Sequence, residues 1–127
     1  MTRPRLAVFA LLVFLAGFAA GQALSQPRPR MWTDVLLRIT AADIPRRTAV
    51  QVNDDHWEPG AETGRHQHPG PTILYVLEGE LAETAADGTA TLRAGQAFWR
   101  PARHEHNVRN GTGRPARMLS IHLDPAQ

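Results

Sequence analysis

Proline punctuation constrains this chain more than any other feature. Beyond residue 30, prolines at 45, 59, 69, 71, 101 and 115, with glycines scattered between them, leave windows of only about ten residues. Proline lacks an N–H and breaks a helix interior, so these windows cannot join into long helices. Within them, residues alternate or run apolar, the pattern of short strands. The expected strands cover residues 34–39, 48–53, 72–77, 80–84, 89–93, 97–100, 106–109 and 116–123. Asp87-Gly88 stands between two of them and signals a tight hairpin, while Glu78-Gly79 is a weaker turn. Strands at this close spacing predict an all-β sandwich or barrel.

The first 25 residues read differently. Arg3 and Arg5 precede fifteen apolar or small residues at 6–20, and small residues then stand two apart at Gly21, Ala23 and Ser25. That is the layout of a cleavable export signal. Fifteen helical residues reach only about 22 Å, short of a hydrocarbon core of about 30 Å. Counted on to Leu24, the nineteen residues would just span. Residues 1–25 are thus expected to be a signal peptide or an uncleaved anchor, residues 26–33 a spacer, and residues 34–127 the folded domain. Either reading places the domain outside the cytoplasm, in the periplasm or secreted, with membrane contact only through an uncleaved segment.

Charge excludes one class of partner. The chain holds fourteen basic residues, all arginine, against twelve acidic ones, and without Arg3 and Arg5 the two signs balance. A neutral domain has no electrostatic footprint for a phosphate backbone, so no nucleic-acid partner is expected. The chain contains no cysteine, which leaves no disulfide to stabilise it. A domain of this size then depends on its core, on a bound metal or on pairing with a second copy, and a homodimer is expected.

Six histidines lie at positions 56, 66, 68, 104, 106 and 122. Four of them form two His-x-His pairs, His66-Gln67-His68 and His104-Glu105-His106. Residues two apart on a strand share a face, so each pair can aim two imidazoles at one point. Imidazole suits zinc, copper, iron and nickel. No serine or cysteine stands in a nucleophile context.

The spacing around these pairs carries a resemblance. Gly60, five residues, His66-x-His68 and ten further residues to Gly79 are similar to the first motif of the cupin superfamily, with HQHPGPTILYVLEGEL at its centre. Gly95, five residues, Pro101, His106 and, after three more residues, Asn110 resemble the second motif, in GQAFWRPARHEHNVRN. The likeness extends over roughly residues 34–123. It implies a double-stranded β-helix, a short jelly-roll barrel holding its metal or small-molecule ligand inside. It also implies that His66, His68 and His106 are ligands to a divalent transition metal (iron, copper, manganese, nickel or zinc) and that Asn110 is structural.

Two positions depart from the pattern. Thr72 stands where the first motif usually has a glutamate ligand, and Arg103 replaces the second motif's glycine. Three neutral imidazoles leave a divalent ion its full charge, which favours anionic or chelating oxygen ligands. They also leave positions open, as in reactive rather than structural sites. Thr72 and His104 are the candidate groups for assisting catalysis beside the ion, and Glu62 is the candidate stand-in for the missing carboxylate. Arg100 and Arg103 could receive a substrate carboxylate, though solvated arginine is the commoner state. His122 shares a face with Met118 and Ser120, without its being clear which face is interior, and its expected role is structural. His56 is expected at the surface or in a loop. Trp57, Tyr75, Phe98 and Trp99 are expected in the core or an interface.

The function implied is that of an exported metal-binding cupin acting on a small organic molecule. An oxygen-dependent, dioxygenase-type oxidoreductase is the leading form. A non-catalytic binding or sensor module and a metal-dependent isomerase or epimerase are the alternatives.

Overall fold

The computed structural model describes residues 30–127. The expected export segment at 1–25 and the start of the spacer lie outside them. The chain divides into the units Met1–Thr33 and Asp34–Gln127. The second unit contains seven strands and, among the described residues, no helix. They are β1 (Thr48–Trp57), β2 (Thr72–Glu78), β3 (Glu80–Ala85), β4 (Gly88–Arg93), β5 (Ala97–Arg100), β6 (His106–Arg109) and β7 (Ala116–Pro125). One sheet has the order β1-β7-β2-β5 and the other β4-β3-β6. All pairs are antiparallel, as a jelly roll requires.

Inward side chains follow the strand period of two, and they grade from apolar to polar along the barrel. On β2 the order is Val76, Leu74, Thr72, and on β7 it is Ala116, Met118, Ser120, His122. On β1 it is Trp57, Asp55, Asn53, and on β6 Val108, His106. The apolar end, with Val76, Leu81, Leu92 and Ala116 fully buried, is the packed core. The polar end stays open as a cavity. One gradient, repeated on four strands, therefore separates the part that holds the fold together from the part that can hold a ligand.

Several expectations change. Residues 34–39 form no strand, and Val35 and Leu36 stay exposed. Their apolar pattern finds no partner ladder, and a lone strand gains no ladder hydrogen bonds or packing to offset the entropy of ordering it. The first strand instead runs on to Trp57, and His56 lies on β1 at the surface, one of its two expected settings. In the hairpin between β3 and β4, Ala85 pairs with Gly88, so the turn residues are Ala86 and Asp87, one position earlier than expected. Gly88, at φ 130°, opens β4.

Two backbone features explain motif positions. At Gly79, φ is 76° and an added Cβ would lie 2.8 Å from the Pro115 carbonyl oxygen, so only glycine passes from β2 to β3 there. Arg103 has φ 60°, the one non-glycine residue in the left-handed region among those described. A glycine at this place removes a Cβ conflict of about 1–2 kcal/mol, which accounts for the residue that the motif prefers there. Arg103 N–H donates to the His68 carbonyl at 2.8 Å, so the strained turn clamps one histidine-bearing loop to the other.

Candidate metal centre

His66 and His68 do not sit on a regular strand. Gly64, Pro69 and Pro71 interrupt the ladder, and the pair lies in a loop bridged to β6 at Glu62–Arg109 and at His66–His106. At the latter each backbone N–H donates to the other's carbonyl at 2.9 Å. The bridge, and not strand alternation, brings the first motif's imidazoles to the second motif's His106. Ring centroids are 4.5 Å apart for His66 and His106, 4.9 Å for His66 and His68, and 5.9 Å for His68 and His106. The coordinating nitrogens of the three lie within 4.8 Å of one another.

Two of the rings are set in one tautomer. His66 Nδ1 is 3.0 Å from the Gly64 carbonyl and His106 Nδ1 is 2.7 Å from the His104 carbonyl. A carbonyl only accepts, so each Nδ1 carries the proton and donates it. The Nε2 lone pair is then free, which is the form a metal ligand needs, with its second nitrogen anchored. The three residues thus fit a divalent ion by donor type and distance, two of them also by tautomer, and they contribute no negative charge to it.

Burial lowers the pKa of His68 and of His106 below the ordinary 6.5. For His68 the neighbouring His122, His66 and His106 add to the effect. For His106 the His104 carbonyl and Glu83 partly oppose it. Both rings therefore hold fewer protons folded than unfolded below that value. Stability from these groups rises with pH and is lost as pH falls from about 7 through the depressed folded values. The thermal midpoint of metal-free protein should accordingly be lower at pH 5.5 than at pH 7.5, with the difference reduced in His68→Gln.

The rings open onto a cavity of about 180 Å³. Its wall includes Asn53, Asp55, Trp57, Thr72, Leu74, Arg100, Ser120 and His122. Thr72 is buried, and its hydroxyl meets His122 Nδ1 at 3.3 Å. His122 faces the interior with its ring 4.4 Å from that of His68. Strand parity grouped it with Met118 and Ser120, but only the barrel shows that this face is the lumen. Trp57 is a cavity wall as well as a core residue, and Asp55 joins it two positions earlier on the same face. Their alternation on β1 was the available signal.

His104 lies elsewhere. It precedes β6, and its ring stacks on that of His106 at 5.4 Å, on the side away from the cavity that His66 and His68 line. Its Nε2 is 3.6 Å from Glu83 Oε1, and it lines a separate hollow with Glu83, Phe98 and Trp99. Glu83, His104 and His106 also offer ligand atoms within 4.8 Å of one another, but the Glu83 carboxylate is taken by Arg100. Arg100 Nε donates to both Glu83 oxygens at 2.7 Å, which also removes it as a free carboxylate receptor. Glu62 accepts from Asn107 Nδ2 at 3.1 Å at the surface and is not part of the cavity wall. Asn110 is fully buried, donating to the Trp57 and Arg114 carbonyls and accepting from Thr112. Its role is to stitch the loop after β6.

A family model, the cupin domain, matches residues 55–122. The chain belongs to the cupin family. It is similar to the beta-alanine degradation protein BauB of Pseudomonas aeruginosa, 42% identical over 66 residues, or 50% of this chain and 70% of that protein. Among solved structures it is similar to a cupin domain from Bordetella pertussis, 28% identical with a TM-score of 0.54, covering 65% of this chain and 88% of that one. A sugar phosphate isomerase from Silicibacter pomeroyi is 25% identical with a TM-score of 0.54, covering 60% of this cupin and 51% of the isomerase.

Proposed function

We propose that this cupin holds a divalent transition metal through His66, His68 and His106 and acts on a small organic molecule bound beside it. One observation carries the reading: three imidazole nitrogens converge at the cavity, two of them freed for a metal by carbonyls that hold the opposite nitrogen's proton. When bound, such an ion supplies Lewis acidity and, as iron or copper, redox chemistry toward dioxygen. The chain's own residues do the rest. Burial favours the neutral form of His68 and His106, Thr72 and His122 form a polar wall, and Leu74, Val108 and Met118 exclude water from the inner end. Dioxygenase-type oxidation is the leading reaction.

A second reading, metal-dependent isomerisation or epimerisation, draws on the inward His122, an imidazole placed to move a proton within the cavity. Oxygen consumption during turnover separates the two, because isomerisation consumes none. Metal content tests the proposal itself. Wild-type protein should hold close to one equivalent, and His66→Ala and His106→Ala should each lose it while remaining folded by circular dichroism. Variants that retain as much metal as wild type would refute the site.

Export through residues 1–25 and assembly as a homodimer belong to the same proposal. The outward face of edge strand β1 exposes Val50 and Val52 at 63% and 62%, an apolar strip that pairing would cover.

A further inference from the structure

We infer that the cavity is built for a small bipolar ligand, with a carboxylate at one end met by His122 and an ammonium at the other met by Asp55. The inference rests on the metal-site reading above and names the substrate class for it.

The carboxylate end follows from His122. Its ring touches His68, yet its nitrogens fall outside the group of ligand atoms that lie within 4.8 Å. It therefore stands beside the donor set, 8% exposed, on the cavity wall. The Thr72 hydroxyl can donate a hydrogen bond to Nδ1, in the tautomer that carries Nε2–H as a donor at the wall. A donor next to an ion of undiminished +2 charge selects an anionic oxygen ligand, and the carboxylate is the compact form of one.

The ammonium end follows from Asp55. This carboxylate lines the same cavity and accepts one hydrogen bond, from Ser120 Oγ at 2.6 Å. It takes part in no ion pair among the described residues. The only cationic side chain that these residues place on the cavity wall, Arg100, is committed to Glu83. Two residues along β1, Trp57 presents an indole that is 9% exposed, and its N–H has no hydrogen-bond partner among the described residues. A carboxylate with spare lone pairs beside an aromatic wall is the chemistry that receives an ammonium group.

The two ends are set apart by the fold. His122 and Ser120 are successive inward residues of β7, about 7 Å apart along the strand, and Asp55 is bonded to Ser120. The cavity, at about 180 Å³, is smaller than the roughly 300–1,000 Å³ of sites for drug-sized ligands. The ligand is then an amino acid of a few carbons. The similarity to a protein named for beta-alanine degradation agrees with this class.

Calorimetric titration of the zinc-loaded full chain with β-alanine, propanoate and propylamine tests the assignment. Wild-type protein should bind β-alanine about tenfold or more tightly than either one-ended analogue. Asp55→Asn should abolish the preference over propanoate, and His122→Gln should weaken β-alanine and propanoate by the same factor with zinc content unchanged. Equal binding of β-alanine and propanoate, binding of neither, or a preference that survives Asp55→Asn would overturn the inference and leave the metal site standing. Loss of zinc in His122→Gln would overturn it by moving His122 into the donor set. Wild-type protein that holds no metal would overturn both readings. Should Asp55→Asn fail to fold, the three-ligand comparison on wild type decides alone.

Discussion

Glu83→Ala is expected to lower the free energy of unfolding by about 3–5 kcal/mol, a large share of the total for a domain of this size. Glu83 is 2% exposed on β3, the central strand of the smaller sheet. Its partner, Arg100, comes from β5 at the edge of the larger sheet and also donates Nη1 to the Trp99 carbonyl at 2.9 Å. The ion pair thus fastens one sheet to the other at the open end of the barrel. Deleting the carboxylate strands a guanidinium whose side chain is only 17% exposed. The cost comes from that unpaired charge more than from the lost bond. Replacing both partners, as in Glu83→Leu with Arg100→Met, should recover most of the stability, since an apolar pair of similar volume has no charge to desolvate. Urea denaturation of the two single variants and the double variant gives the comparison directly. A loss under about 1 kcal/mol in Glu83→Ala, the range of exposed pairs, would show that the pair is solvated in solution.

Gly70→Ala should be comparably severe, at about 3 kcal/mol or more. A Cβ at this position would run into the Leu123 carbonyl oxygen and lie 2.8 Å from the Asp124 Cα. Both are backbone atoms of β7, and neither can turn aside. The contact is held from both directions, because Gly70 N–H donates to Asp124 Oδ1 and Leu123 N–H donates to the Pro71 carbonyl, each at 2.9 Å. Gly70 lies between His68 and Thr72, and the strand it abuts carries His122. Forcing the two apart therefore displaces His68 relative to His66 and His106 as well as weakening the fold. Reduced metal affinity should accompany the drop in thermal midpoint. A variant of wild-type stability would mean that the loop can move away from β7 without cost.

Much of the barrel was legible because its signals are local. Proline and glycine punctuate the chain wherever a strand must end, and seven of the eight expected strands form within a few residues of their expected bounds. The exception, 34–39, has the alternation of a strand but no neighbour to pair with. Pairing is a property of the whole sheet, and no local pattern reports it. The motif histidines were legible for a similar reason, since their spacing is written in the chain. How they meet was not. The sequence suggests two strands each aiming a His-x-His pair, whereas His66 and His68 lie on a loop, and isolated backbone bridges to β6, with the Arg103–His68 hydrogen bond, bring them to His106.

What the chain alone determined is the set of residues that alternate together and the places where alternation must stop. Only the closed barrel decided which member of each alternating set faces inward. Strand parity is symmetric between the two faces, and burial against the opposite sheet breaks that symmetry. His122, Asp55 and Trp57 entered the cavity by that route. His104, stacked on the outer side of His106, faces Glu83 and a second hollow instead.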